Sequence, residues 1–337
     1  MSSSTMRAVQ AVKAGEPFVM TKIAVPDPRR GQVRVKVYAC GVCGGDAIAR
    51  NGLLGAVLPR VPGHEVAGVV DAVGEGVGNW KPGDRVGIGW QGGYCSECEP
   101  CRAGDFANCV NGKVVGLSYD GGYAEYLVVP KEALARVPAE LSFEEAGPLM
   151  CAGITTFNAL RHCGARPGDT VAIHGIGGLG HLALQFSDKM GFRTVAINRG
   201  RDKQDLARKL GADEYIDADA SSAGESLKRL GGAAAVISTA ANSAAQVDLI
   251  QALRPNGRLV AIASDHSAPL QFSADQLIFG RRTIAGWYSG HAKDSEETMA
   301  FAVLKHVRPM IETYPLETAE ETFQNMNKAR YRAVLTT

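Results

Sequence analysis

Three things are scarce in this sequence, and each scarcity excludes a class of function. Charge of one sign is scarce: 36 Lys and Arg stand against 35 Asp and Glu, a formal net charge of +1. No strong field draws nucleic acid or an anionic bilayer, so neither partner is expected. Long apolar runs are missing; none approaches the ~18 residues of a membrane span. Nor is a leader expected. Met1 to Thr5 is a short Ser-rich tail with no basic n-region and no apolar h-region, so no secretory signal is expected and the chain is expected to be cytoplasmic. There the eight cysteines stay mostly reduced, as metal ligands or buried thiols rather than disulfides. What is present is 337 residues, 45% hydrophobic and 21% charged, a soluble globular composition with room for two domains.

The first half reads as strands. Residues 6–12 alternate loosely, Gln32 to Tyr38 alternates polar and apolar, and Val66 to Val73 is strongly β-branched. Lys81 to Val86 is a turn feeding a further strand, and residues 121–129 form another β segment. No helical periodicity persists, and a small β-barrel-like domain is expected. Within it lies Gly63-His64-Glu65. Neutral imidazole binds zinc, and the adjacent carboxylate can tune the site or act as a spare ligand. Cys43 stands upstream and Cys151 downstream. Cys, His and Cys with an open fourth position is the composition of a catalytic zinc site. Cys40 with Cys43 also forms a C-x-x-C, which admits a redox dithiol or half a zinc knuckle, but it follows a β run rather than a βαβ unit.

The most specific pattern is Cys95-x2-Cys98-x2-Cys101-x7-Cys109. Four thiols so closely spaced close a loop around one tetrahedral ion, with zinc–sulfur bonds near ~2.3 Å. Four protein ligands leave no open position, so this zinc is structural. The surrounding loop is polar, and the metal would supply what a core of its own cannot.

Near Ser142 the pattern changes. Ser142-Phe143-Glu144-Glu145 resembles a capping box before an apolar run. Strands at Thr170–His174, 194–197, 233–237 and 258–263 then alternate with helices, and residues 283–286 are expected as an edge strand, which predicts a parallel sheet. Thr170–His174 runs into Gly175-Ile176-Gly177-Gly178-Leu179-Gly180, a G-x-G-x-x-G opening a helix in the context of dinucleotide binding. The first Gly makes the turn, the second admits the pyrophosphate, and the third lets helix and strand pack closely. An NAD site usually carries an acid some ~20 residues on. Here Asn198 stands instead, with Arg199, Arg201 and Lys203 behind it. Asn tolerates a 2′-phosphate and Arg binds it, which favours NADP(H) over NAD(H).

Taken together, these motifs resemble the zinc-dependent alcohol dehydrogenase family of the medium-chain dehydrogenases/reductases. The likeness spans the whole chain: Gly63-His64-Glu65 with Gly68, the four-cysteine lobe, Cys151-Ala152-Gly153-Ile154-Thr155-Thr156 and the glycine loop occur in the family's order. Trp90, five residues before Cys95, is similar to the yeast-type and bacterial branch, and Asn198-Arg199-Gly200-Arg201 to the NADP-using cinnamyl-alcohol-type branch. The resemblance implies an α/β fold, with a GroES-like β-barrel catalytic domain (1–152 and 287–337) and a Rossmann-fold cofactor domain (153–286), a doubly wound parallel sheet. It implies a catalytic zinc on Cys43, His64 and Cys151 in the cleft between domains, with Glu65 as occasional ligand. Asp46 would bond the far nitrogen of His64, Thr155 would touch the nicotinamide, Arg332 would reach the pyrophosphate, and Trp90 would wall the substrate pocket. A homodimer or homotetramer is expected, with the 283–286 strand at the subunit edge.

One departure matters. After the ligand Cys the family usually has His or Arg, then Ser or Thr, then Asp; this chain has Gly44-Gly45-Asp46. The hydroxyl that takes the alcohol proton is missing, and Ala47-Ile48-Ala49-Arg50 lacks the downstream relay histidine. Water in the space at Gly45 can substitute. Otherwise the reaction needs no relay, as in relatives that reduce iminium ions or activated C=C bonds. The expected activity is NADP(H)-dependent hydride transfer between an alcohol and an aldehyde, chiefly as an aldehyde reductase, with iminium or C=C reduction as the alternative. A non-catalytic zinc- and nucleotide-binding protein is disfavoured, because it has no need of an open metal position.

Overall fold

The structure, a computed structural model, describes residues 4–326, 328 and 331–337; Met1 to Ser3 of the N-terminal tail lie outside the described residues. The chain divides into two compact units, Met1–Ile154 with Ser289–Thr337, and Thr155–Tyr288.

The first unit is built on Gln32–Gly41. Its alternation sorts side chains by face: Val33, Val35 and Val37 are wholly buried, whereas Lys36 and Tyr38 are exposed. This strand pairs antiparallel with Val66–Val73, Tyr126–Pro130 and Arg332–Thr336. Arg85–Ile88 and Leu134–Arg136 extend the sheet on one side, and Ile311–Pro315 on the other. The register sets Cys40 opposite both Val66 and Leu335. The first and last parts of the chain therefore meet around residues 40–41 and 65–66. Two small antiparallel pairs, Thr5–Gln10 with Val19–Ala24 and Gln91–Gly93 with Lys113–Val114, complete the β structure of this unit. Short helices at Asp46–Arg50 and Glu99–Arg102 interrupt the β half. At five and four residues they are too short to leave a periodic signal. The Ser142 capping box is present: Glu145 N–H donates to the Ser142 hydroxyl, and Ser142 N–H to the Glu145 carboxylate.

The second unit holds a six-stranded parallel sheet in the order Glu214–Asp217, Arg193–Asn198, Thr170–His174, Ala233–Ser238, Leu253–Ala261, Thr283–Gly286. Chain order reverses at Thr170–His174, so a crevice is expected at that strand's carboxyl end. This central strand is buried throughout, as a run covered on both faces must be. Thr283–Gly286 is the sheet edge that its position in the sequence predicts. The opposite edge, Glu214–Asp217, went unread because a four-residue strand with an acid at each end has no apolar pattern. No helix among the described residues is long and apolar enough to cross a membrane.

Candidate metal and dinucleotide sites

The Cys43, His64, Glu65 and Cys151 ligand atoms lie within 4.8 Å of one another in the first unit. Cys43 follows the strand end at Gly41, and His64 and Glu65 enter the neighbouring strand that starts at Val66. Cys151 sits in a single π-helical turn, Leu149–Gly153. The two thiol sulfurs are 3.9 Å apart. Hydrogen bonding from Cys151, reinforced by His64, holds the Cys43 thiol well below its ordinary range, and that same bond together with burial pushes Cys151 up.

Asp46 fixes the imidazole. Its carboxylate accepts from Tyr123 hydroxyl at 2.8 Å, Cys43 N–H at 3.0 Å and Gly63 N–H at 3.2 Å, and lies 3.0 Å from His64 Nδ1. Facing a carboxylate oxygen, Nδ1 is the ring nitrogen that carries a proton toward Asp46, and Nε2 is the one left to bind a metal. Nε2 is buried and has no hydrogen-bond partner; the same is true of Glu65 Oε2. Each buried orphan of this kind costs about 1–3 kcal/mol. Two such atoms beside two thiols are the signature a cation accounts for, and the soft, nitrogen-containing donor set fits zinc.

Glu65 is wholly buried, and its other oxygen accepts from the Arg332 guanidinium. Burial raises the Glu65 carboxyl to about 7 against the pull of Arg332. Arg332 is thus engaged inside the sheet with Glu65, brought there by the strand pairing of Arg332–Thr336. The Trp90 ring meets His64 edge-on, centroids 4.9 Å apart at 89°. A Cβ at Gly45 would lie 3.0 Å from His64 Cε1 and 3.3 Å from Trp90 Cζ3. The side chain absent at Gly45 therefore leaves room that the imidazole and indole partly close. Cys40 is buried beside this ring without entering it. Sequence reasoning missed Tyr123, since nothing in its spacing links a residue of the 121–129 segment to Asp46.

Cys95, Cys98, Cys101 and Cys109 converge as a second set. Sulfurs of Cys98 and Cys95 lie 3.8 and 3.6 Å from that of Cys109. Cys95 N–H points at Cys109 Sγ, and Cys98 N–H at Cys95 Sγ. Such donors favour thiolate; those of Glu97 and Cys98 bring Cys95 down to about 6. The donor set fits one tetrahedral zinc with no open position.

In the second unit, Gly175 has φ +91°, and a Cβ at Gly180 would stand 1.9 Å from Gly175 O. Gly177 faces open space, with nothing within 4 Å of a Cβ. Gly178 and Leu179 complete the turn, and no side chain caps the helix Gly180–Lys189. Its N-terminal donors suit an anion. Asn198 and Lys203 both serve the loop itself. Asn198 accepts from Ile176 N–H at 3.3 Å, and Lys203 donates to Ile176 O at 2.6 Å. Arg199 is exposed; its carbonyl accepts from Asn198 Nδ2 at 3.0 Å, and its guanidinium has no partner among the described residues, while Arg201 lies 3.9 Å from Asp217. Thr155 is buried near the start of the helix Ile154–Arg161.

A GroES-like alcohol dehydrogenase domain model matches residues 29–139, and a zinc-binding dehydrogenase model matches residues 178–304. The chain is 42% identical to alcohol dehydrogenase patD of Penicillium expansum, across 99% of this chain and 98% of that protein. It is 37% identical to an alcohol dehydrogenase of Geobacillus stearothermophilus, across 96% and 97%. Of solved structures, AibC is similar with a TM-score of 0.93 at 29% identity, across 99% of this chain and 96% of that one. The chain belongs to the zinc-type alcohol dehydrogenase family of the medium-chain dehydrogenases, and it is an alcohol oxidoreductase.

Proposed function

We propose that this oxidoreductase transfers hydride between NADP(H) and a small alcohol or aldehyde, working mainly as an aldehyde reductase in the cytoplasm. The observation that carries the reading is the pair of unpartnered buried atoms, His64 Nε2 and Glu65 Oε2, beside the Cys43 and Cys151 thiols. Cys43, His64 and Cys151 would hold a catalytic zinc, with Glu65 as the ligand in reserve, and Cys95, Cys98, Cys101 and Cys109 a structural one. When bound, the catalytic metal supplies Lewis-acid polarisation of the substrate oxygen. Asp46 keeps the proton on His64 Nδ1, so Nε2 remains a donor of electrons. Trp90 walls the substrate pocket. Glycine at 44 and 45 supplies no side-chain hydroxyl from those two positions, and the substrate-oxygen proton passes through water.

The dinucleotide would lie over Gly175, Gly177, Gly178, Leu179 and Gly180, with Thr155 at the nicotinamide. Support for NADP(H) is the exposed Arg199, whose guanidinium has no partner among the described residues, at a strand end that carries Asn198 in place of an acid; the neighbouring Asp217 accepts from Gly200 N–H at 2.9 Å. NADPH is expected to be the faster donor, and Arg199→Glu to lower kcat/KM for NADPH by ~10-fold or more while sparing NADH. A wild type that prefers NADH sinks this part of the reading. A homodimer or homotetramer is supported by the open edge strand Thr283–Gly286 and the nearby Ile278 and Phe279, 64% and 72% exposed; light scattering tests it.

The crowding at Gly45 favours a second reading, reduction of an iminium or activated C=C bond. Gly45→Ser separates the two. A rise in alcohol turnover supports the first; collapse of native turnover with no gain on alcohols supports the second.

A further inference from the structure

Why is the glycine loop held where it is? The strand Ala233–Ser238 runs parallel to Thr170–His174, with Ser238 opposite His174. One residue further, Thr239 N–H donates to His174 O at 2.8 Å, which carries the ladder a step past the strand end. The Thr239 hydroxyl then stands 3.0 Å from both His174 O and Gly175 O. A Cβ on Gly175 would come within 2.8 Å of that hydroxyl, and one on Gly180 within 3.2 Å. The hydroxyl is therefore wedged between the first and third glycines of the motif. It anchors the same carbonyl that a Cβ at Gly180 would strike at 1.9 Å.

Thr239 is itself braced. Ser238, wholly buried, lies 3.0 Å from His174 Nδ1. Gln246, from the helix Ser243–Ile250, donates to Ser238 Oγ at 3.1 Å, Ala240 O at 3.2 Å and Ala263 O at 3.3 Å. Residues 238–240 thus form a fixed tongue, pinned from behind by one side chain and pressing the loop from the front with another.

We propose that Thr239 is the positioning residue of the dinucleotide loop: through Gly175 O it sets where the loop's backbone donors and the Gly180 helix start stand, and so the affinity for a dinucleotide's pyrophosphate. The inference rests on the glycine-loop reading above. An isosteric Val keeps the wedge and removes the hydrogen bond, which lets the Gly175 carbonyl turn away.

The test is titration of the intact protein with NADPH, NADH and ADP-ribose, with kcat at saturating dinucleotide measured alongside. Wild type that binds none of the three overturns the glycine-loop reading itself. If wild type binds, Thr239→Val is expected to weaken NADPH and ADP-ribose alike by ~10-fold, with saturated kcat kept within about twofold. Thr239→Ser, which restores the hydroxyl, is expected to recover most of the loss. Wild-type affinity in Thr239→Val, or a fall confined to kcat, overturns the proposal. Should the Val variant not fold, Thr239→Ala takes its place with the same expected split, and unchanged affinity there is equally fatal.

Discussion

Arg332 donates to Glu65 inside the first unit's sheet, and the two are 6% and 0% exposed. The contact joins the last strand of the chain to the candidate metal ring. It takes up one carboxylate oxygen and leaves the other buried without a hydrogen-bond partner. Removing one partner of a buried ion pair strands the other charge, at a cost of about 3–5 kcal/mol. Arg332→Leu is accordingly expected to lower unfolding stability by about that amount, and Arg332→Leu with Glu65→Leu to recover part of it. Denaturant titration of the three proteins checks this; additive losses would contradict it.

Tyr123 acts on the ring at one remove. Its hydroxyl holds Asp46, and Asp46 holds His64. Loss of a supporting contact of this kind typically costs 10–100-fold in metal affinity when the contact is direct. Tyr123→Phe, one bond further out, is expected at the lower end, about 10-fold. The four-cysteine site should keep its metal. Zinc release against a graded chelator resolves the two sites, and equal release from wild type and variant at both would refute the assignment.

The His174 imidazole is pushed down to about 4 by burial. Its neutral form is the one the fold accommodates, so the unfolded chain binds the extra proton between pH 6.5 and 4. Stability from this group is fully present above pH 6.5 and declines as the pH falls through that window. The total is about 3 kcal/mol. His174→Gln should flatten this part of the stability–pH curve of the second unit. An unchanged slope would show that His174 does not carry it.

Much of this was legible in the sequence for a physical reason. The four cysteines and the glycine motif are local in the chain, so spacing alone defines them. His64 with Cys43 and Cys151 is longer in range, but the residue types are rare enough to find each other. Tyr123 and Thr239 were not legible. Each acts through a contact set by strand register, Tyr123 on Asp46 and Thr239 on Gly175, and a tyrosine or threonine in a β segment is ordinary by composition. Arg332 shows the same limit. Its bond to Glu65 follows from the pairing of Arg332–Thr336 with Gln32–Gly41, a register that the residue types alone do not give.

The central claim is that Cys43, His64 and Cys151 form a working zinc site for alcohol and aldehyde chemistry. Its most direct test is NADPH-dependent reduction of a small aldehyde panel, with a cyclic iminium and an enal alongside. Each is followed while a chelator removes the more labile zinc and again after zinc is restored. The account predicts aldehyde reduction that falls in step with loss of that metal and returns with it, while the four-cysteine site stays loaded. Aldehyde reduction that persists after the labile zinc has gone would contradict it. Silence on aldehydes with zinc-independent turnover of the iminium or the enal would contradict it as well.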